Sequence, residues 1–213
     1  MKTDDLISVL ATGAEPVPRH AVGNRYAVTL VPGVAVACLL MLSLFGLRPD
    51  LSEAARLPLF WVKLGFVVCL AWASLLATLR LSRPGMRLGW VPIAWLAPVL
   101  VIWVMAGMAL AGAAPVERPV LILGTTWQSC PWAITLLSVP VFVAAFAAMR
   151  KAAPTQLPMA GAVAGLLAGT LGALVYCLHC PEVETPFVAT WYLIGMLIPG
   201  IAGRLLGPRL LRW

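Results

Sequence analysis

The sequence predicts an all-α membrane protein, a bundle of six transmembrane helices whose N- and C-termini are cytoplasmic. Two observations lead to this class: 62% of the 213 residues are hydrophobic while only 11% are charged, and the mean hydropathy is +0.95. Soluble domains are about 45 to 50% apolar and about 25% charged. The composition therefore excludes a soluble single-core enzyme, a disordered chain and a disulfide-rich secreted mini-protein, because none of these keeps so much apolar surface from water.

Six apolar segments are long enough to cross a bilayer. A helix needs roughly 20 apolar residues to cross a hydrocarbon core about 30 Å thick. Unbroken apolar runs favour helices over lipid-facing β-strands, in which apolar and polar residues alternate. The expected spans are residues 26–47, 57–79, 90–111, 129–149, 158–178 and 187–206. They form an expected transmembrane domain, 26–206, between an N-terminal cytoplasmic segment, 1–25, and a cytoplasmic tail, 207–213.

The basic residues predict the orientation of the bundle. Eleven of the fifteen lysines and arginines fall on the side of the two termini, and only three fall in the opposite loops. Loops rich in Lys and Arg stay in the cytoplasm, so both termini are expected there. The cytoplasmic group is Lys2, Arg19, Arg25, Arg80, Arg83, Arg87, Arg150, Lys151, Arg204, Arg209 and Arg212, and the outer group is Arg48, Arg56 and Arg118.

The net charge of +7 does not require a nucleic-acid partner. A basic cytoplasmic face is what a bilayer with anionic lipids attracts. We therefore expect the lipid bilayer as a partner and no direct contact with nucleic acid.

The N-terminal segment, residues 1–25, is predicted to contain a short amphipathic helix. Asp4 and Asp5 fall in its first turn, where the helix dipole favours acidic side chains. The apolar stripe that follows is Leu6, Ile7, Val9 and Leu10. A helix this short is marginal alone. The stripe is expected to lie in the groove of a partner protein, on the bilayer, or against the bundle.

One charged residue, Lys63, lies well inside an expected span. It is about six residues from the outer end of that span, roughly 9 Å at 1.5 Å per residue. An intramembrane charge is a candidate functional residue. Its ammonium is expected either to snorkel to the interface or to pair within the structure.

Glycines at a spacing of four predict a close approach between helices. Gly161, Gly165 and Gly169 lie on one side of the fifth span, and Gly203 and Gly207 repeat the spacing near the end of the chain. Such stripes allow another helix to pack closely. That helix belongs either to the same bundle or to a second copy, so a homodimer is a possible assembly.

Three of the five cysteines are expected near the outer water interface. Cys130 opens the fourth span, whereas Cys177 and Cys180 follow the fifth. Disulfides persist on the outer side of a cell membrane, so Cys180 is expected to pair with Cys130 or with Cys177. Alternatively, a soft heavy-metal ion is expected to bind Cys130, Cys180, His179 and Glu182. A structural disulfide with a spare thiol is a third interpretation, and no cofactor is required.

Several short motifs, in order along nearly the whole chain, resemble a known family. They are the opening Met-Lys-Thr-Asp-Asp-Leu-Ile, Cys-Pro at 130–131, His-Cys-Pro-Glu at 179–182 and Trp-Tyr at 191–192. Together with six spans, they resemble the NrsF-type negative regulators of sigma F, an extracytoplasmic-function (ECF) sigma factor.

The resemblance implies a regulator rather than an enzyme. It implies a multi-pass anti-sigma factor in a bacterial inner membrane, which holds its ECF sigma factor at the cytoplasmic face and releases it under heavy-metal or oxidative stress. The family's two sensing cysteines fall on Cys130 and Cys180, whereas Cys177 is outside the family pattern and only a possible third member. The segment that holds the sigma factor would include Asp4, Asp5, Leu6 and Ile7, and the apolar stripe adds Leu10.

Two alternative functions are a thiol oxidoreductase and a metal exporter. The Cys-x-x-Cys of residues 177–180 resembles the quinone-linked thiol oxidoreductases of the DsbB and vitamin K epoxide reductase type. Those enzymes use two thiol pairs in a four-helix bundle, whereas this chain has three outer thiols and six expected spans. A metal exporter is disfavoured because the expected spans carry no Asp, Glu or His at mid-depth.

Overall fold

A computed structural model describes residues 3–12, 21–83 and 85–212, without the side chains of residues 9, 10 and 21. The protein is 78% helical, and these residues contain no β-strand. Six of their helices are long and apolar enough to cross a membrane. The predicted class, an all-α membrane protein with six transmembrane helices, is therefore confirmed.

The six spans lie close to the expected positions. They are α2 (Ala21–Leu44), α4 (Pro58–Leu81), α5 (Val91–Gly112), α7 (Cys130–Arg150), α8 (Leu157–Tyr176) and a composite sixth span, Thr185–Leu210. The composite span consists of α9 (Thr185–Phe187), a π-helical segment (Val188–Tyr192) and α10 (Leu193–Leu210). Short helices lie outside the spans: α1 (Thr3–Thr12), α3 (Leu51–Ala54) and α6 (Arg118–Leu123).

Two span ends lie outside the expected transmembrane domain, 26–206. The first span starts at Ala21, inside the expected N-terminal segment, and the last continues to Leu210, inside the expected tail. Polar or basic residues at a helix end still form helical turns at the membrane surface, so hydropathy alone underestimates both helices.

The fifth span, α8, is the centre of the bundle. In an apolar stretch of 18 residues of α8, 72% of the residues are buried. The same fraction is 11% for α5, which therefore lies at the periphery of the bundle. The principal neighbours of α8 are α10, α7 and α4. Large apolar side chains such as Trp72 and Trp103 are exposed on the outer surface, as expected for side chains that face lipid tails.

The predicted close approach of glycines is confirmed, and the partner helix belongs to the same chain. A Cβ atom at Gly165 would collide with the carbonyl oxygen of Pro199, and one at Gly161 with that of Gly203. A Cβ atom at Gly207 would lie 2.5 Å from the carbonyl oxygen of Leu157. We call this α8–α10 contact the glycine seam. Because α10 already covers it, the seam is not open to a second copy.

The end of the bundle where α2 starts is joined by a small polar cluster. The hydroxyl groups of Tyr26 and Ser82 are 2.8 Å apart, and both contact the sulfur of Met149. Arg25 donates to the carbonyl oxygen of Lys151 at 2.9 Å. These contacts tie the start of α2 to the ends of α4 and α7, and we call this region the basic end.

A substitution in the glycine seam tests its importance. Gly165→Ala places a methyl group against the backbone of α10, so we expect a loss of about 1 to 3 kcal/mol of stability, as for overpacked cores. Gly107→Ala is the matched control, because a Cβ atom there meets nothing within 4 Å. The measurement is thermal unfolding in detergent micelles, and equal melting temperatures for the two variants would contradict the expectation.

Candidate functional site: a buried thiol cluster

Three thiols meet at the end of the bundle opposite the basic end. Cys130 is the first residue of α7, and Cys177 and Cys180 lie in the turn after α8. All three are fully buried in one apolar cluster. Of the groups around the Cys130 side chain, that of Cys180 acts on it most strongly. The structure thus places thiols from two separate stretches in the same cluster, and all five cysteines are free thiols.

Local backbone geometry places the cysteines. The amide of Cys180 bonds to the carbonyl oxygen of Tyr176 at 3.0 Å, which extends the end of α8 by one turn. Pro181 then follows, and it has no N–H group to continue such bonding. On the other side, the Cys130 amide bonds to the Thr126 carbonyl oxygen at 2.9 Å. The two sulfurs therefore sit on the ends of two packed helices.

Lys63 of α4 points into this cluster. Its side chain is only 1% exposed, and its ammonium donates to the carbonyl oxygens of Glu182 at 2.8 Å and Cys180 at 3.1 Å. It also lies 4.9 Å from the centre of the Tyr192 ring. The Lys63 ammonium therefore pairs within the structure, which is one of the two structural roles expected for it.

Arg48, which follows α2, is a second cation that contacts the turn after α8. It donates to the carbonyl oxygens of Cys180 at 3.4 Å and Pro181 at 3.5 Å. Unlike Lys63, it also forms an ion pair with a carboxylate, that of Asp50, at 2.6 Å. The hydrogen bonds from Arg48 hold the pKa of Asp50 below its usual value.

His179 and Glu182 bind neighbouring loops rather than a shared site. His179 Nδ1 is 3.0 Å from the Gly46 carbonyl oxygen, and its ring packs against Phe45. The Glu182 carboxylate accepts hydrogen bonds from the amide and hydroxyl groups of Thr125 at 2.8 and 2.7 Å. The four expected metal ligands are thus not assembled, and the described residues contain no group of three or more His, Cys, Asp or Glu that could hold a metal ion.

The two thiols after α8, those of Cys177 and Cys180, differ in the direction of their pKa shift. Hydrogen bonding from Cys130 and the charge of Lys63 lower the pKa of Cys180 below its usual range, against the effect of burial. Burial raises the pKa of Cys177 to about 11. The Tyr192 hydroxyl has no hydrogen-bond partner of good geometry among the described residues, yet it lies close enough to lower the pKa of both thiols.

The sequence did not single out Arg48, Thr125 or Tyr192 as site residues. Arg48 was one of only three outer basic residues, and Tyr192 belongs to the Trp-Tyr motif, so both carried a weak signal. Tyr192 lies in the π-helical segment, and π-helical turns are frequent at functional sites.

The expected N-terminal helix is present as α1, Thr3–Thr12. Asp4 and Asp5 lie in its first turn, and the side chains of Leu6 and Ile7 are 43% and 60% exposed. The side chain of Leu10, expected in the same stripe, lies outside the described residues. At least two apolar side chains of α1 are therefore open to a partner.

These features define a multi-span helical membrane protein with a buried thiol cluster at one end and an exposed apolar helix at its N-terminus. The model of the NrsF family, described as negative regulator of sigma F, matches residues 10–213. The chain belongs to this family.

Two relatives are similar over their full length. The chain is 54% identical to a probable anti-sigma-F factor NrsF from Azospira oryzae and 39% identical to an anti-sigma-F factor NrsF from Caulobacter vibrioides. In both comparisons all of this chain and all of the relative are covered. No solved structure matches the chain.

The geometry predicts which disulfide forms. In a Cys38→Ser, Cys69→Ser background, treatment with diamide is expected to join Cys130 to Cys180. Both lie in one buried cluster at the ends of the packed helices α7 and α8, and Cys180 acts on Cys130 more strongly than Cys177 does. Peptide mapping by mass spectrometry under non-reducing conditions identifies the bond. Cys177→Ser should form the same bond at a similar rate, and a major product that contains Cys177 would contradict the expectation.

Proposed function

We propose that this chain is an anti-sigma factor of a bacterial inner membrane, which sequesters an ECF sigma factor at its cytoplasmic face. The main support for this proposal is the full-length similarity to two proteins named as anti-sigma-F factors. The family description, a negative regulator, also supports a regulator rather than an enzyme. In this proposal both termini are cytoplasmic, which the excess of Lys and Arg at the basic end supports.

Helix α1 is the proposed sigma-binding element. Its exposed Leu6 and Ile7 offer an apolar face of the kind that binds in a groove of a partner protein. Asp4 and Asp5 on the first turn add negative charge beside this face. The proposed contact set is Asp4, Asp5, Leu6, Ile7 and Leu10.

The thiol cluster is the proposed sensor of stress. An oxidant joins Cys130 to Cys180, or a thiol-reactive heavy-metal ion reacts with them, and either change alters the turn that holds Lys63. Shifting a two-state bundle from 1:99 to 99:1 needs about 5.5 kcal/mol. Disulfide formation shifts the equilibrium by that amount when the reduction potential of the bond differs by about 120 mV between the two states, since 30 mV corresponds to about 1.4 kcal/mol for this two-electron couple.

A charge on the apolar face of α1 tests sigma binding. Leu6→Asp or Ile7→Asp should weaken binding at least about tenfold, because burying such a side chain contributes about 1.5 to 3 kcal/mol. The measurement is co-purification from native membranes followed by titration of the identified sigma factor. Ser8→Asp is the matched control, since helical spacing puts residue 8 on the other side of α1, and equal effects of all three variants would contradict the assignment.

Removal of the two thiols tests the sensor. Cys130→Ser with Cys180→Ser should bind the sigma factor as the unaltered chain does but no longer release it when an oxidant or heavy-metal ion is added. Release is measured by the amount of sigma factor that stays with the detergent-purified protein. Cys38→Ser with Cys69→Ser is the control and should release normally. Normal release by the Cys130 and Cys180 double variant would refute the sensor, and purification of the unaltered chain without any sigma factor would refute the whole proposal.

A further inference from the structure

Three arginines at the junction of α4 and α5 have no acidic neighbour. Arg80 lies in the last turn of α4, and Arg83 and Arg87 are exposed in the loop that leads to α5. Residues 54–116, which include both helices and the loop, contain no Asp or Glu. None of the three arginines forms an ion pair with a described residue. They therefore make a patch of uncompensated positive charge at the basic end, which we call the arginine patch.

The arginine patch is fixed at the edge of the membrane-spanning region. Nη1 of Arg80 donates to the carbonyl oxygen of Leu88 at 2.8 Å, and the guanidinium lies 5.1 Å from the centre of the Trp90 ring. A guanidinium has five N–H donors, and this hydrogen bond uses one of them. Trp90 is 54% exposed, and tryptophans are enriched where lipid meets water. The patch thus lies at the level of lipid headgroups.

An apolar groove begins at the arginine patch. α5 packs against α4 and against the composite span but hardly against α8, which leaves a groove of about 310 Å³ between α4, α5 and α8. Leu88, whose carbonyl oxygen binds Arg80, also lines the groove. Its one polar side chain, Ser74, is occupied by a hydrogen bond from Trp95. The groove therefore offers a ligand apolar contacts alone.

The groove has the length and position of a lipid chain. On α8 it runs from Met159 to Leu166, seven residues or about 10 Å at 1.5 Å per residue. One leaflet of the hydrocarbon core is about 15 Å thick, so the groove follows most of that depth. It opens beside α5, the helix at the periphery of the bundle, where Leu96 is 53% exposed. The bilayer is therefore the medium that fills it.

We propose that the arginine patch and this groove form a binding site for one anionic phospholipid, with its phosphate on the arginines and one acyl chain in the groove. Basic pockets beside membrane helices bind acidic lipid headgroups in this way. A zwitterionic lipid offers the same chain without a net negative charge. An acidic peptide from the aqueous phase would meet the arginines but would leave the groove to the bilayer, whereas an anionic lipid satisfies both.

The charge requirement is tested by native mass spectrometry of the detergent-purified chain. Phosphatidylglycerol should bind more tightly than phosphatidylcholine with the same acyl chains. Arg83→Gln with Arg87→Gln should weaken phosphatidylglycerol binding at least about tenfold, because each arginine near an anionic headgroup contributes to the attraction. Arg204→Gln with Arg209→Gln is the matched control. It removes the same charge from exposed positions of α10 at the same end, outside the groove, and should bind as the unaltered chain does.

Two outcomes of this measurement would overturn the proposal. One is equal affinity of the two double variants for phosphatidylglycerol, because the charge would then act without regard to place. The other is displacement of phosphatidylglycerol by an equal concentration of inorganic phosphate, because the arginines would then bind an ion and not a lipid. Binding is measured without a sigma factor, so neither outcome depends on the proposed function.

The position of the acyl chain is tested with phosphatidylglycerol that carries a photoreactive diazirine in one chain. Crosslinks should fall on the peptide of α8 that contains residues 159–166. Ala162→Phe should lower this labelling at least about threefold, because the added ring fills the space of the chain. Ala97→Phe is the control, since Ala97 lines a different groove beside α5. Unchanged labelling in Ala162→Phe would overturn the assignment of the groove, and the arginine variants stay decisive if Ala162→Phe does not fold.

Discussion

The thiol end of the bundle is organised around one buried ammonium, that of Lys63. A charge at that depth requires polar partners, and the protein supplies two backbone carbonyl oxygens and the face of the Tyr192 ring. To turn those carbonyl oxygens inward, the chain after α8 must leave the helix at Pro181. The π-helical segment brings Tyr192 into the same space. The backbone of Cys180 is therefore held by a contact that also satisfies a buried cation.

The turn after α8 is bound from several sides. His179 contacts the loop after α2 through Gly46, and the Glu182 side chain contacts the loop before α7 through Thr125. Lys63 adds α4. A change in the length or charge of any one contact shifts the others, because packed interiors rearrange between discrete states rather than deform smoothly. In the proposed sensor, a chemical change at one sulfur therefore reaches three separate parts of the bundle.

The sequence predicted the scaffold of this site better than its contacts. Hydropathy located six spans, and the positions of Cys130 and Cys180 at span ends predicted that their sulfurs would meet. The sequence did not predict the partners of Lys63, His179 and Glu182. These partners are main-chain and loop groups, and their direction depends on how the turns pack. Likewise, the spacing of Gly165 and its neighbours predicted a close helix contact but not which helix provides it.

The glycine seam has a mechanical consequence. Where two backbones touch through the carbonyl oxygens of Pro199 and Gly203, there are no side-chain rotamers to adjust, so sliding or rotation would separate the surfaces outright. α8 and α10 therefore form a rigid pair whose relative position is fixed. In the proposed sensor, the motion that carries the signal belongs to the helices that are packed less closely, and the fixed α8–α10 pair is the reference against which they move.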